Sequence, residues 1–182
     1  MKKHIARGFE FEDVALRVLT RYFGFELAKS KLNVLGGGDY GLDLVGVWPL
    51  LLSSSLDGQS AGVGVQCKSL SSQIPVPTIR ELESSVRRME AKMGIIASTT
   101  LLSVAARDWF LKSDLALVSV LVDQPHELPN SFAMNPAAKA QLHPSIQVRR
   151  QPSLGGGPPY DLLLVKRPSL LAQPPPKHVV FF

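Results

Sequence analysis

Residues 36–43 read Gly-Gly-Gly-Asp-Tyr-Gly-Leu-Asp, and after one further loop the chain offers Gln66-Cys67-Lys68 inside an apolar stretch. This pairing constrains the fold more than any other feature. A glycine-rich turn delivers Asp43 to the head of a strand, and alternation along a strand places Gln66 and Lys68 on one face with Cys67 on the other. A fold that uses both segments has to bring an acid, an amide and an amine to neighbouring strands.

The chain has 182 residues, enough for one domain with an appendage, and its 45% hydrophobic content supplies a real core. With a single cysteine no intrachain disulfide forms, and nothing argues for secretion. Cys67 lies in an apolar strand and reads as a buried structural thiol. No run approaches the roughly 18–20 apolar residues of a membrane span, so no membrane partner is expected. Met1-Lys2-Lys3-His4 has no apolar segment behind it and is not a signal peptide; any targeting peptide is expected to have been removed. The net charge of +5 favours a polyanionic partner, and most of the basic excess falls after residue 124.

Periodicity predicts a first helix over about Gly8–Tyr22, with Phe11, Ala15, Val18, Leu19 and Tyr22 as its buried stripe. Asp13 and Arg17 have the spacing of an i,i+4 ion pair. Glu12 instead lines up with Leu16, Leu19 and Phe23 along the edge of the packed side. Strands are expected at Phe25–Leu32, at Leu42–Trp48 with Leu42, Leu44 and Trp48 on one face, and at Gly62–Ser69. The segment 49–61 reads as a connecting loop. Thr78 and Glu81 suggest a capping box for the next helix. A strand at Met93–Ser98, a helix at Ser103–Lys112 and an apolar strand at Leu115–Val122, either central or a dimer edge, complete an order α-β-β-β-α-β-α-β. This is an α/β fold with a central mixed sheet flanked by helices. Eleven of the fourteen prolines fall from Pro125 onward. Residues 1–124 are therefore read as the domain and 125–182 as a basic, mostly irregular extension, with one strand expected at 160–166.

Asp43, Gln66 and Lys68 are the parts that phosphodiester hydrolysis needs: oxygen ligands for a hard divalent cation, and an amine beside the attacking water. The backbone carbonyl of Cys67 is a further candidate ligand, and Glu12 on the helix beneath completes the set. A salt bridge or a half-exposed helix edge is the plainer reading of Glu12. Asp39 is either a turn former or a supporting carboxylate on the substrate side. Arg87 and Arg88, with Arg80, are candidate phosphate contacts, or a solvated helix face. Ser98 and Thr99 at a strand end suit a phosphate contact or a helix cap. His4, His126, His143 and His178 lack the spacing of a zinc site. There is no Gly-Lys-Ser/Thr phosphate loop and no Gly-x-Ser-x-Gly elbow.

The helix segment Gly8-Phe9-Glu10-Phe11-Glu12, the GGGDYGLDL turn and strand, and VQCKS together resemble the PD-(D/E)XK nuclease superfamily, in its Mrr-like branch, which carries Gln-x-Lys. The resemblance spans about residues 8–123. Length and spacing resemble the fungal mitochondrial "required for respiratory growth" family within that branch. The resemblance implies a restriction-endonuclease-like core, Mg²⁺ dependence with Mn²⁺ as a substitute, and DNA as substrate. By position it implies Asp43 as the metal aspartate, Gln66 as the second-strand ligand, Lys68 as the catalytic lysine and Glu12 as the helix acid. It also implies a mitochondrial location and a role in maintaining organellar DNA. Two departures stand out: Leu42 occupies the place of a proline, and Gln66 that of an acid. The second leaves open a DNA-binding protein of the same fold that has lost cleavage. A third reading is a junction resolvase acting as a homodimer, since related folds cut branched DNA that way.

Overall fold

The computed structural model describes residues 2–30, 41–51, 62–142, 146–151 and 160–165. The Gly36–Gly38 turn, Asp39, the loop over 52–61, Lys166, His143 and His178 lie outside the described residues.

Twelve elements follow in chain order: α1 (Lys2–Phe23), β1 (Glu26–Lys29), β2 (Leu44–Val47), β3 (Gly62–Lys68), α2 (Val76–Arg88), β4 (Met93–Ser98), α3 (Val104–Lys112), β5 (Leu117–Asp123), β6 (Leu128–Met134), α4 (Pro136–Ala140), β7 (Ile146–Gln151) and β8 (Tyr160–Val165). The first eight reproduce the expected α-β-β-β-α-β-α-β order. The main sheet runs β1-β2-β3-β4-β5-β6. Pairings are antiparallel at β1/β2, β2/β3 and β5/β6, and parallel at β3/β4 and β4/β5. Parallel neighbours need crossovers, and α2 and α3 supply them. β4, at the middle of the parallel part, is buried along its whole length.

The two faces of the sheet are closed differently. On one, α1 lays Phe11, Val14, Ala15, Val18 and Leu19 against Val63, Val65, Ile95 and Val118. An aromatic group closes its end. Phe25 stacks on Trp48 at 4.4 Å and Phe23 on Phe132 at 4.5 Å, while the Trp48 indole donates to the Phe23 carbonyl. Gly24, at φ 68°, turns the chain out of α1, and its N–H closes on the Thr20 carbonyl. On the other face α2 and α3 pack a smaller cluster around Leu42, Ile79, Leu82, Val86, Ile96, Phe110 and Leu117.

Several expectations are corrected. α1 begins at Lys2, ahead of Gly8. Asp13 and Arg17 do not bridge each other: Asp13 holds Lys29 at 2.8 Å and Arg17 holds Glu127 across the fold. α2 starts at Val76 with Pro75 extended before it and no side-chain cap, so the Thr78–Glu81 capping box does not form. Pro77, whose ring suits a first helical turn, sets that earlier start. β5 lies between β4 and β6, so it is central and not a dimer edge. The chain after Pro125 is more regular than expected, because β6 extends the main sheet on its antiparallel side. β8 forms where a strand was expected but pairs with β7, in a sheet separate from the core.

Asn135 is fully buried and joins three elements. Its amide oxygen accepts from Leu117 N–H and Ala138 N–H, and its nitrogen donates to the carbonyls of Leu115, Phe110 and Ser113. One side chain thereby caps α4, starts β5 and ties off α3.

Candidate active site

β2 and β3 pair in register from Val47↔Gly62 to Leu44↔Val65. One residue further, at Asp43, the ladder stops being regular. The Asp43 N–H still reaches the Val65 carbonyl at 2.8 Å, but its carboxylate Oδ2 now accepts from the Cys67 N–H at 2.6 Å. A side chain takes the place of the strand's own backbone acceptor, and the regular ladder ends there. Leu42 consequently packs with the α2 cluster while Leu44 packs with the α1 cluster, so the expected shared face of Leu42 and Leu44 is broken. Ser30 N–H to the Asp43 carbonyl at 2.9 Å pins the residue from β1.

The carboxylate thus sits at the Gln66–Cys67 peptide, and Glu12 approaches from α1. Burial, first, and the negative charge of Asp43, second, raise the Glu12 carboxyl above its ordinary value, with Lys29 opposing. These two acids share one electrostatic environment, which is what a cation site requires. The Cys67 thiol is pushed well above its ordinary value by burial and then by Asp43 and Glu12. That favours the protonated thiol, although the side chain is part-buried and not enclosed as the sequence led one to expect.

On the other face of β3, Gln66 and Lys68 point together, as alternation requires. Gln66 is 1% exposed, and its Oε1 has no hydrogen-bond partner among the described residues. A buried amide oxygen with no protein partner suits a bound ion or water. Lys68 Nζ stands 3.6 Å from Glu81 Oε2 on α2, an ion pair too long for a hydrogen bond. Gly41, at φ 69°, lets the chain pass here: a Cβ on it would lie 3.3 Å from Glu81 Oε1 and 3.6 Å from Gln66 Nε2. Glu81 is the residue that sequence reasoning missed as a neighbour of the lysine. Pro77 was the available signal, since a helix starting before Thr78 releases Glu81 from capping.

Other candidates lie apart. Arg87 pairs with Asp114 at 2.8 Å. With Arg88 it ends α2, where Ala91 and Lys92 lead back toward Gly62 at the start of β3, the strand end opposite Lys68. Arg80 stacks on Trp109 at 4.1 Å. Ser98 Oγ donates to the Thr100 carbonyl. Thr99 Oγ1 bonds both the N–H and the carbonyl of Leu70, and Thr100 Oγ1 donates to the Ser72 carbonyl. These hydroxyls latch the loop leaving β3, while Ser103 itself caps α3. Among the described residues no three Asp, Glu, His or Cys side chains gather into one metal-binding group. The oxygen donors offered around β3 are the carboxylates of Asp43 and Glu12 and the unpartnered Gln66 amide oxygen, hard ligands of the kind a magnesium-type ion that keeps several waters takes.

A mixed sheet carrying an acid at the head of one strand and Gln-x-Lys on the next defines a restriction-endonuclease-like nuclease core. The chain belongs to the Mrr_cat restriction endonuclease family, which it matches over residues 5–121. Among solved structures it is similar to the DNA modification-dependent restriction endonuclease AspBHI, with 15% identity and a TM-score of 0.42 over 62% of this chain. That match takes in 27% of the AspBHI chain, so this protein spans about a quarter of that one's length. Comparison with curated proteins returns no match.

Proposed function

We propose that this chain is a Mg²⁺-dependent endonuclease that hydrolyses phosphodiester bonds in DNA, with Asp43, Gln66, Glu12 and Lys68 at its centre. The observation that carries the proposal is the side-chain break in the β2–β3 ladder at Asp43. There the Asp43 carboxylate accepts from the Cys67 N–H, between the buried, unpartnered Gln66 amide oxygen and Lys68 on the next strand, inside a domain of the restriction endonuclease family.

Asp43, Glu12, the Gln66 amide oxygen and the Cys67 carbonyl would hold the ion. When bound it supplies positive charge at the scissile phosphate and acidifies a water. The protein's own groups do the rest. Asp43 is fixed through its N–H, its carbonyl and one carboxylate oxygen, so its position costs no rearrangement during the reaction. Lys68, held loosely by Glu81, keeps its ammonium protons for the attacking water and the phosphate oxygens, where negative charge grows. The basic excess after residue 124 adds non-specific attraction to the DNA backbone.

The resemblance in length and spacing to the fungal respiratory-growth proteins supports a mitochondrial setting and a role in maintaining organellar DNA. Fractionation of cells expressing the tagged chain tests it, and exclusion from mitochondria would refute it. For the activity, supercoiled, linear, single-stranded and four-way-junction DNA are incubated with Mg²⁺, Mn²⁺ or EDTA. Metal-dependent cutting by wild type, lost in Lys68→Ala and Asp43→Asn, is the expected result. Preference for junctions with a dimer in solution would make it a resolvase. The amide at position 66 favours one competing reading, a DNA-binding protein without cleavage, and binding without cutting in either metal would establish it.

A further inference from the structure

The strand position that an acid occupies in the wider superfamily is Gln66 here, yet the lysine two residues on is not left without an anion. Glu81 reaches it from α2, with one carboxylate oxygen 3.6 Å from Lys68 Nζ. The other oxygen lies against Gly41, as the Gln66 amide nitrogen does. The Glu81 side chain is half exposed, and a half-exposed ion pair contributes little to stability. Stability alone therefore gives a weak reason for this arrangement. Three features make it more than a surface pair. The helix starts early, at Val76 with Pro77 in its first turn, which frees the glutamate from a capping role. Ser85 Oγ donates back to the Glu81 carbonyl, one turn along, tying the backbone at that point. And the facing residue is a glycine, which leaves room for the carboxylate where a Cβ would crowd Glu81 Oε1 at 3.3 Å.

We propose that Glu81 is a positioning residue for Lys68, supplying from the helix the negative charge that Gln66 does not supply from the strand. The idea rests on the nuclease reading above and sharpens it. At 3.6 Å the carboxylate orients the ammonium without consuming its protons in a hydrogen bond. A neutral residue at position 81 leaves Lys68 present but free to swing away from the scissile phosphate.

The test uses the full-length protein with Glu81→Gln, Lys68→Ala and the double variant, each checked for an unchanged melting temperature. In the metal-free protein, the NMR order parameter of the Lys68 ammonium is expected to fall in Glu81→Gln. With saturating Mg²⁺, kcat is expected to drop roughly tenfold or more, as for other partners that orient a reacting group. KM and DNA affinity in Ca²⁺ should stay within about twofold of wild type. The double variant is expected to be no slower than Lys68→Ala alone, because a residue acting through the lysine has no effect once the lysine is gone. An unchanged Lys68 order parameter, wild-type kcat in Glu81→Gln, or multiplicative losses in the double variant would each overturn the proposal. Inactivity of wild type itself removes the nuclease reading and this role with it, a pattern distinct from an active wild type with an equally active Glu81→Gln.

Discussion

The two faces of the sheet make opposite use of the same strands. The α1 face is sealed by aliphatic side chains and stacked aromatics, with Trp48 and Phe25 fully buried. The α2 face is a smaller apolar cluster into which Gln66, Ser85 and the Lys68–Glu81 pair are set. One face holds the fold together and the other spends part of its area on polar groups. The site forms where the two meet, at the point where Asp43 interrupts the β2–β3 ladder. A regular antiparallel pair would bond the Cys67 N–H to a backbone carbonyl instead of to the Asp43 carboxylate.

Breaking the sealed face should have the largest effect. Trp48→Ala is expected to cost about 3–5 kcal/mol of unfolding free energy by denaturant titration. A loss below about 1 kcal/mol would mean that this aromatic group is not the anchor described. Striking the polar face should do the reverse, leaving stability near wild type while abolishing chemistry. Lys68→Ala is expected to slow DNA cleavage by about 10²–10³, or roughly 3–4 kcal/mol of barrier. Intermediate in size is Asn135→Ala, which orphans a cluster of backbone groups at the junction of α3, α4 and β5. It should cost about 2–3 kcal/mol, and a neutral result would show that water replaces the amide.

The smallest effect sharpens the comparison at the boundary. Burial and Asp43 raise the Glu12 carboxyl, so above its ordinary value of 4.5 the unfolded chain releases this proton more readily than the folded one. Ionised Glu12 therefore weakens the metal-free fold at neutral pH, and the penalty disappears in acid. Metal-free Glu12→Gln should melt slightly above wild type at neutral pH, the two curves converging below pH 4.5. Adding Mg²⁺ should stabilise wild type and not the variant. Equal melting at every pH would remove Glu12 from the site.

How much of this was legible in the sequence follows from how local each determinant is. The alternation of Val63, Val65 and Cys67 against Gln66 and Lys68 is a property of one strand, and β3 obeys it. The stripe Phe11, Ala15, Val18 and Leu19 is a property of one helix, and α1 buries it. Leu42 was misplaced because the irregularity at Asp43 arises from a bond between its carboxylate and a different strand. Asp13 and Arg17 have helical ion-pair spacing, yet Lys29 and Glu127, distant in sequence, reach them in the folded chain. β6 was hidden for a related reason: Pro129 and Asn130 weaken its strand signal, and only pairing with β5 makes Phe132 and Met134 buried. The roles proposed for Asp43, Gln66, Lys68 and Glu12 come from a motif, whereas the Glu81 contact with Lys68 required the packing of α2 over β3.

The two edges of the main sheet have a consequence for how this protein behaves in a crowded solution. β1 is four residues long and carries Glu26 and Lys29, both exposed. β6 contains Pro129, which has no N–H to offer, and its register with β5 shifts between Leu121 and Val122. Short, charged, proline-bearing or irregular borders are poor templates for another chain's backbone. Both borders are thereby poor sites for strand addition, and β8 also lies against β6.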